Sequence, residues 1–161
     1  MKTENPRFAT PHLKARHILV PTDFSPAARR ALKYARPLAR RCGARLTLLH
    51  VVSPSRYEAD YGYGPVVRQC ADEQEMTTVA KRLQSIGRTT RAQRVVRCGD
   101  TATQIIQVAR ELKTDLIVMA QSPSALSSLQ SRAEQLSTRA PCRILVVGQS
   151  GTQLIKPGRR V

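Results

Sequence analysis

The sequence predicts a doubly wound α/β fold, one domain built round a sheet of about five parallel strands with four flanking helices. Three observations carry this prediction. Short apolar runs recur along the chain, separated by stretches of helical periodicity. Those runs are continuously apolar rather than alternating, the pattern of a sheet covered on both faces. The 161-residue length is that of one domain. Repeated strand, helix, strand units imply parallel strands joined by right-handed crossovers.

Residues 1–15 read as a flexible lead-in and residues 16–148 as the domain, followed by a basic, flexible tail over 149–161. His17 to Pro21 is the first apolar run, and Thr22-Asp23-Phe24 makes the turn after it. Ser25 followed by Pro26 starts a helix: a hydroxyl caps orphan amides, then proline takes the first helical position. Leu32, Ala35, Leu38 and Ala39 form its apolar face. Pro37 should kink or shorten that helix, and Gly43 closes it. Arg45 to Val52 is the second strand, and residues 53–65 form a loop with three tyrosines, Tyr57, Tyr61 and Tyr63. Pro65 is expected to open a second helix running to about Ser85, which Gly87 stops. Arg94 to Cys98 is a third strand. Thr101 with Gln104 reads as a capping box at the start of a third helix lined by Ile105, Ala109 and Leu112. Leu116 to Met119 is the fourth strand; a fourth helix is expected over about 127–139, and Ile144 to Val147 is the fifth strand.

Composition narrows the function classes. No apolar run reaches the ~18 residues of a membrane span. The polar start MKTENPRFATPHLKAR has no apolar signal core, so a cytoplasmic location and no membrane partner are expected. Cys42, Cys70, Cys98 and Cys142 lie far apart with no CxxC pair, so no metal site is expected. The P-loop pattern GxxxxGK[ST] is absent. His50 has no evident nucleophile beside it and no paired carboxylates end the strands, so no catalytic residues are assigned and the chain is not expected to be an enzyme beyond, at most, a weak ATPase.

In open parallel sheets, ligands bind beyond the carboxyl ends of the strands, where the strand order reverses. Pro21-Thr22-Asp23, His50-Val51-Val52 and Met119-Ala120-Gln121 stand at such ends. Asp23, an acid after an apolar strand and before a helix, suits a ribose or a base edge, and equally suits bracing of the turn.

The stretches HILVPTDFSPAARRALKYARPLARRCGARLTLLHVV, GDTATQIIQVARELKTDLIVMA and APCRILVVG together resemble the universal stress protein family over residues 17–148. The resemblance implies a five-stranded parallel sheet in the order 3-2-1-4-5 and a homodimer through the C-terminal strand. It also implies that an adenine nucleotide such as ATP would meet Pro21, Thr22, Asp23 and Val51. The family's phosphate loop is written G-x2-G-x9-G-[ST]. Here Ala120, Pro123 and Gln130 stand at the glycine positions, Ser131 keeps the hydroxyl, and only six residues separate Pro123 from Gln130. Glycines allow close backbone approach to an anion, whereas proline has no N–H to donate. Tight ATP binding and a resident cofactor are therefore not expected. The leading expectation is a stress-adaptation or interaction module. The alternative is a nucleotide sensor using Asp23, Val51 and Ser131.

The net charge of +16 raises a third reading, non-specific binding of nucleic acid. Arg29, Arg30, Lys33, Arg36, Arg40, Arg41 and Arg45 form one acid-free run, and Lys81, Arg82, Arg88, Arg91, Arg94 and Arg97 a second. If the two helices carrying these runs lie apart, the charge is spread out. If their outer surfaces adjoin, they form a stripe suited to phosphates.

Overall fold

The computed structural model describes residues 14–53, 56–57, 66–67, 73–87, 91–120, 136–149 and 151–156. Its principal sheet is built from β1 (His17–Pro21), β2 (Arg45–Val52), β5 (Ala92–Cys98), β6 (Leu116–Ala120), β7 (Arg143–Val147) and β8 (Thr152–Ile155), in the order β5-β2-β1-β6-β7-β8. Two short strands, β3 (Arg56–Tyr57) and β4 (Val66–Val67), pair separately and antiparallel. The helices are α1 (Pro26–Cys42), α2 (Glu73–Gly87) and α3 (Thr101–Glu111); residues 136–139 are also helical.

The five predicted strands are all present, parallel and in the predicted order. The strand count is corrected by β8, which pairs antiparallel on β7, Ile144 opposite Ile155 and Val147 opposite Thr152. The Gly148 amide donates to the Gly151 carbonyl at 2.7 Å and closes the hairpin. Residues 152–155 of the expected flexible tail are thus a sheet strand, and β7 has both neighbours within its own chain. A partner strand must pair with β8 or displace it. Truncation after Gly148 bares the β7 edge, which then offers unpaired N–H and C=O groups to another chain. Light scattering behind gel filtration should show a larger associated fraction for the truncated chain at equal concentration; unchanged elution would contradict this.

The helix ends follow local chemistry. The Ser25 side chain accepts from the Ala28 amide at 3.1 Å, Pro26 sits in the first turn, and Gly43, at φ 63°, occupies the left-handed position that closes α1. Pro37 does not end α1, which continues to Cys42. Pro37 is exposed, so water can reach the Lys33 carbonyl that its missing N–H leaves unbonded. The cap of α3 is corrected by one residue: Asp100, not Thr101, accepts from the Thr103 amide at 2.9 Å. A carboxylate there also favours the helix dipole. Pro65 lies outside the described residues, but Val66 and Val67 are extended, so no helix runs on from Pro65 through them, and α2 is described over Glu73–Gly87. Of the expected fourth helix, residues 136–139 are helical, and 127–135 lie outside the described residues, as do 1–13 of the lead-in.

Alternation along the strands splits the core in two. Ile18, Val20, Leu46, Leu48, Leu116 and Val118 face α1 and α2, joined by Leu32, Leu38 and Leu83. Leu19, Leu49, Ile117 and Ile144 face α3 and Leu136, joined by Ile105, Ile106 and Val108. Alanines at 27, 28, 31, 35 and 39 form much of the buried face of α1 and let it sit close on the sheet.

One buried polar network pins the base of the sheet. His17, 2% exposed, begins β1 with Nδ1 2.8 Å from the Leu112 carbonyl and Nε2 2.8 Å from the Thr47 hydroxyl. The carbonyl can only accept, so Nδ1 carries a proton. Asp115 accepts from the amides of Arg16 at 2.7 Å and His17 at 2.9 Å. These contacts tie β1, β2 and the end of α3 together.

Candidate functional site

The chain leaves β1 outward through β2 to β5, then returns to place β6 on the other side of β1, so the strand order reverses between β1 and β6. A cavity of about 590 Å³ opens there, beyond the carboxyl ends of the strands. Pro21, Thr22, Asp23 and Ser25 form one rim, Val51 and Ser53 a second, Gly99 to Ala102 a third, and Met119 and Ala120 a fourth. Leu49, Ile105 and Leu136 make an apolar floor.

The Thr22–Ser25 turn is built by its own side chains. The Thr22 amide donates to the Leu49 carbonyl at 2.8 Å and anchors the turn to β2. Thr22 Oγ1 accepts from the Phe24 amide at 3.1 Å, and Asp23 Oδ1 accepts from the Ser25 amide at 2.9 Å. Between them Phe24 adopts φ 65°, a left-handed conformation rare for a bulky residue. The buried Phe24 ring stacks on His50, with centroids 4.5 Å apart, and the Arg82 guanidinium lies 4.5 Å from its centroid. His50 Nδ1 donates to the Thr22 carbonyl at 2.7 Å. His50 therefore supports the turn from behind and does not line the cavity.

Burial alone would raise the Asp23 carboxyl. Hydrogen bonds from the Ser25 side chain, the Ser25 amide and its own amide, with the nearby His50, outweigh burial and hold it below its ordinary value. Asp23 is a carboxylate at neutral pH. Because its folded value is depressed, its contribution to stability is present above about 3.8 and is lost as the pH falls through that folded value. A carboxylate has about four lone-pair sites, so bracing the turn leaves acceptor capacity toward the cavity.

Pro21, Thr22, Asp23 and Val51, chosen from the sequence, all line the cavity. Ser131, with Pro123, Gln130 and the rest of the phosphate-loop segment after Ala120, lies outside the described residues. The β5–α3 wall was missed: Gly99, Asp100, Thr101 and Ala102. Gly99 takes φ 138°, open in practice only to glycine, and a Cβ there would meet Gln104 Nε2 at 3.1 Å. The Ser53 and Thr101 hydroxyls approach to 3.3 Å across the β2–α3 gap. The signal was the Gly99-Asp100 turn at a strand end, read only as a turn. The charge of the wall is one-sided. Among the described lining residues, Asp23 and Asp100 are acids and none is Lys or Arg.

Other chemistry is sparse. Among the described residues no group of three or more His, Cys, Asp or Glu could hold a metal, and no helix is long and apolar enough to cross a membrane. Burial, then the Asp115 carboxylate, pushes the Cys142 thiol up to about 11, so it is not a thiolate at neutral pH.

A doubly wound sheet with a cavity at its switch point, walled by an Asp-bearing turn and two helix starts, defines a Rossmann-like α/β protein. The universal stress protein family model matches residues 14–148, and the chain belongs to that family. Among solved structures, the universal stress protein UspA from Lactobacillus plantarum is 26% identical, with a TM-score of 0.58 over 84% of this chain and 99% of its own. A universal stress protein in complex with cAMP is 18% identical, with a TM-score of 0.56 over 84% of this chain and 98% of its own. One from Archaeoglobus fulgidus in complex with dAMP is 19% identical, with a TM-score of 0.53 over the same shares. At these last two identities the likeness shows the fold alone. No curated protein sequence matches the chain.

Proposed function

We propose that this chain is a cytoplasmic stress-adaptation module that binds the adenosine part of an adenine nucleotide in its switch-point cavity and holds the phosphates weakly. The carrying observation is the cavity itself: an apolar floor, Asp23 on its rim, and no Lys or Arg among its described lining residues. Apolar walls with a few placed polar groups suit a base and a ribose. Asp23 and Asp100 repel a triphosphate. In the sequence, Pro123 removes a backbone donor where the family's phosphate loop has a glycine. In the sequence, Ser131 keeps the hydroxyl of the family's phosphate loop. The cAMP and dAMP complexes of two fold relatives support a mononucleotide as the ligand class. Asp23 and Asp100 are each engaged in bracing a helix start, which supports binding without turnover. Self-association is proposed through the last edge of the sheet, now β8.

Thermal shift with AMP tests this reading. Millimolar AMP should raise the melting temperature of the native chain. In Asp23→Ala the shift, measured against that variant's own baseline, should correspond to roughly tenfold weaker binding or worse, the scale of losing a hydrogen bond to a charged group. An equal shift in both proteins would remove Asp23 from the site.

A further inference from the structure

The structure answers the question that the charge runs leave open. α1 and α2 pack on the same face of the sheet, their apolar sides meeting in one core through Leu32, Leu38 and Leu83. Two contacts fix which flank of α1 faces α2. Arg36 Nη2 donates to the Ile86 carbonyl near the end of α2 at 2.8 Å, and Arg82 of α2 reaches the Phe24 ring just ahead of α1. Arg29, Lys33, Arg36 and Arg40 follow one another at intervals of four, three and four residues, which at 100° per residue places them within about 60° of arc. Arg36 shows that this arc borders α2. Arg29, Lys33 and Arg40 are exposed along it, and Lys81 and Arg82 are exposed on α2.

We propose that this α1–α2 surface binds the phosphate backbone of double-stranded DNA without reading its sequence. Arg29 to Arg40 spans roughly 16 Å of helix, and one DNA strand presents a phosphate about every 3.4 Å of axis, so the stripe runs beside about five of them. The acids on α2, Glu73 and Glu75, are confined to its first turn, and neither α1 nor the stretch from Lys81 to Arg97 contains one. The exposed residues of α1 and α2 include no Phe, Tyr, Trp, Leu, Ile or Met. That composition offers no ring for stacking unpaired bases and no apolar side chain to enter a lipid headgroup layer. What remains is a rigid row of cations, which fits a duplex backbone. This surface lies on the α1–α2 face of the sheet, and none of its basic residues lines the cavity, so the proposal stands independently of nucleotide binding.

Fluorescence anisotropy with a labelled 30-base-pair duplex of arbitrary sequence tests it on the full chain. Affinity should fall between 50 and 200 mM KCl with a log–log slope of about −4, a loss of roughly 250-fold. The triple variant Arg29→Gln/Lys33→Gln/Arg40→Gln should flatten the slope by about 2.7. The charge-matched control Arg110→Gln/Lys113→Gln/Arg139→Gln, on exposed residues of the α3 side, should keep it. All six positions are exposed, and circular dichroism confirms that both variants fold. The proposal is overturned by any of three results: no binding at 50 mM salt, equal losses in the two variants, or capture by phosphatidylserine vesicles without capture by the duplex.

Discussion

Replacing Phe24 by alanine is expected to cost about 3 to 4 kcal/mol of folding stability, the usual scale for deleting a buried phenyl ring. The ring is 6% exposed and is held between His50 and Arg82. Its loss removes the packing that joins the turn after β1 to β2 and α2. The glycine variant makes the sharper test. Phe24 sits at φ 65°, where any L side chain is strained by roughly 1–2 kcal/mol and glycine is not. Glycine costs about 0.5–1 kcal/mol more than alanine through the unfolded chain. Phe24→Gly should therefore be at least as stable as Phe24→Ala, reversing the ordinary order. Urea unfolding of the three proteins measures both effects; a glycine variant clearly less stable than the alanine variant would mean that the backbone there is not left-handed.

The second large effect is expected at His17. Leucine fills a similar volume but leaves the Leu112 carbonyl without its buried donor and the Thr47 hydroxyl without its ring partner. Thr47 keeps a contact to Gln93 Oε1 at 3.4 Å, too long to replace what is lost. The expected cost is roughly 2 to 4 kcal/mol. Adding Thr47→Val removes one of the orphaned groups and should recover about 1 kcal/mol, because deleting both partners is less harmful than stranding one. A loss below about 1 kcal/mol for His17→Leu, or no recovery in the double variant, would show that the network does not hold the base of the sheet.

The parts legible in the sequence were those decided by short-range chemistry. The five apolar runs became the five parallel strands because burial on both faces leaves little other use for such runs. Ser25-Pro26 and Gly43 marked the ends of α1 because capping depends on a few adjacent residues. Errors arose where neighbouring residues compete or where partners are remote. Asp100 and Thr101 can both cap a helix, and the carboxylate prevails. β8 has only four residues and owes its existence to the open β7 edge, which no local pattern reveals. The adjoining of α1 and α2 was decidable in principle. Two successive right-handed crossovers moving in one direction across a sheet place both helices on one face. The Arg82–Phe24–His50 stack joins three segments far apart in the chain, and nothing local announces it.

That Pro21, Thr22, Asp23 and Val51 would line the cavity was legible because a switch point is a property of topology, and topology follows from the order of the runs. The character of the site was less so. Its acidic wall, free of Lys and Arg among the described residues, depends on Asp100 just after β5, a strand outside the set that the family resemblance singles out. That wall and the Pro123 of the sequence support one proposal from different parts of the chain: that the cavity takes adenosine in preference to a triphosphate.

Isothermal titration of one preparation with adenosine and with ATP and Mg²⁺ tests that conclusion most directly. The account predicts saturable binding of both, with affinities within about tenfold, or 1.4 kcal/mol, because the phosphates add little. Micromolar ATP binding a hundredfold or more tighter than adenosine, or no adenosine binding at all, would contradict it.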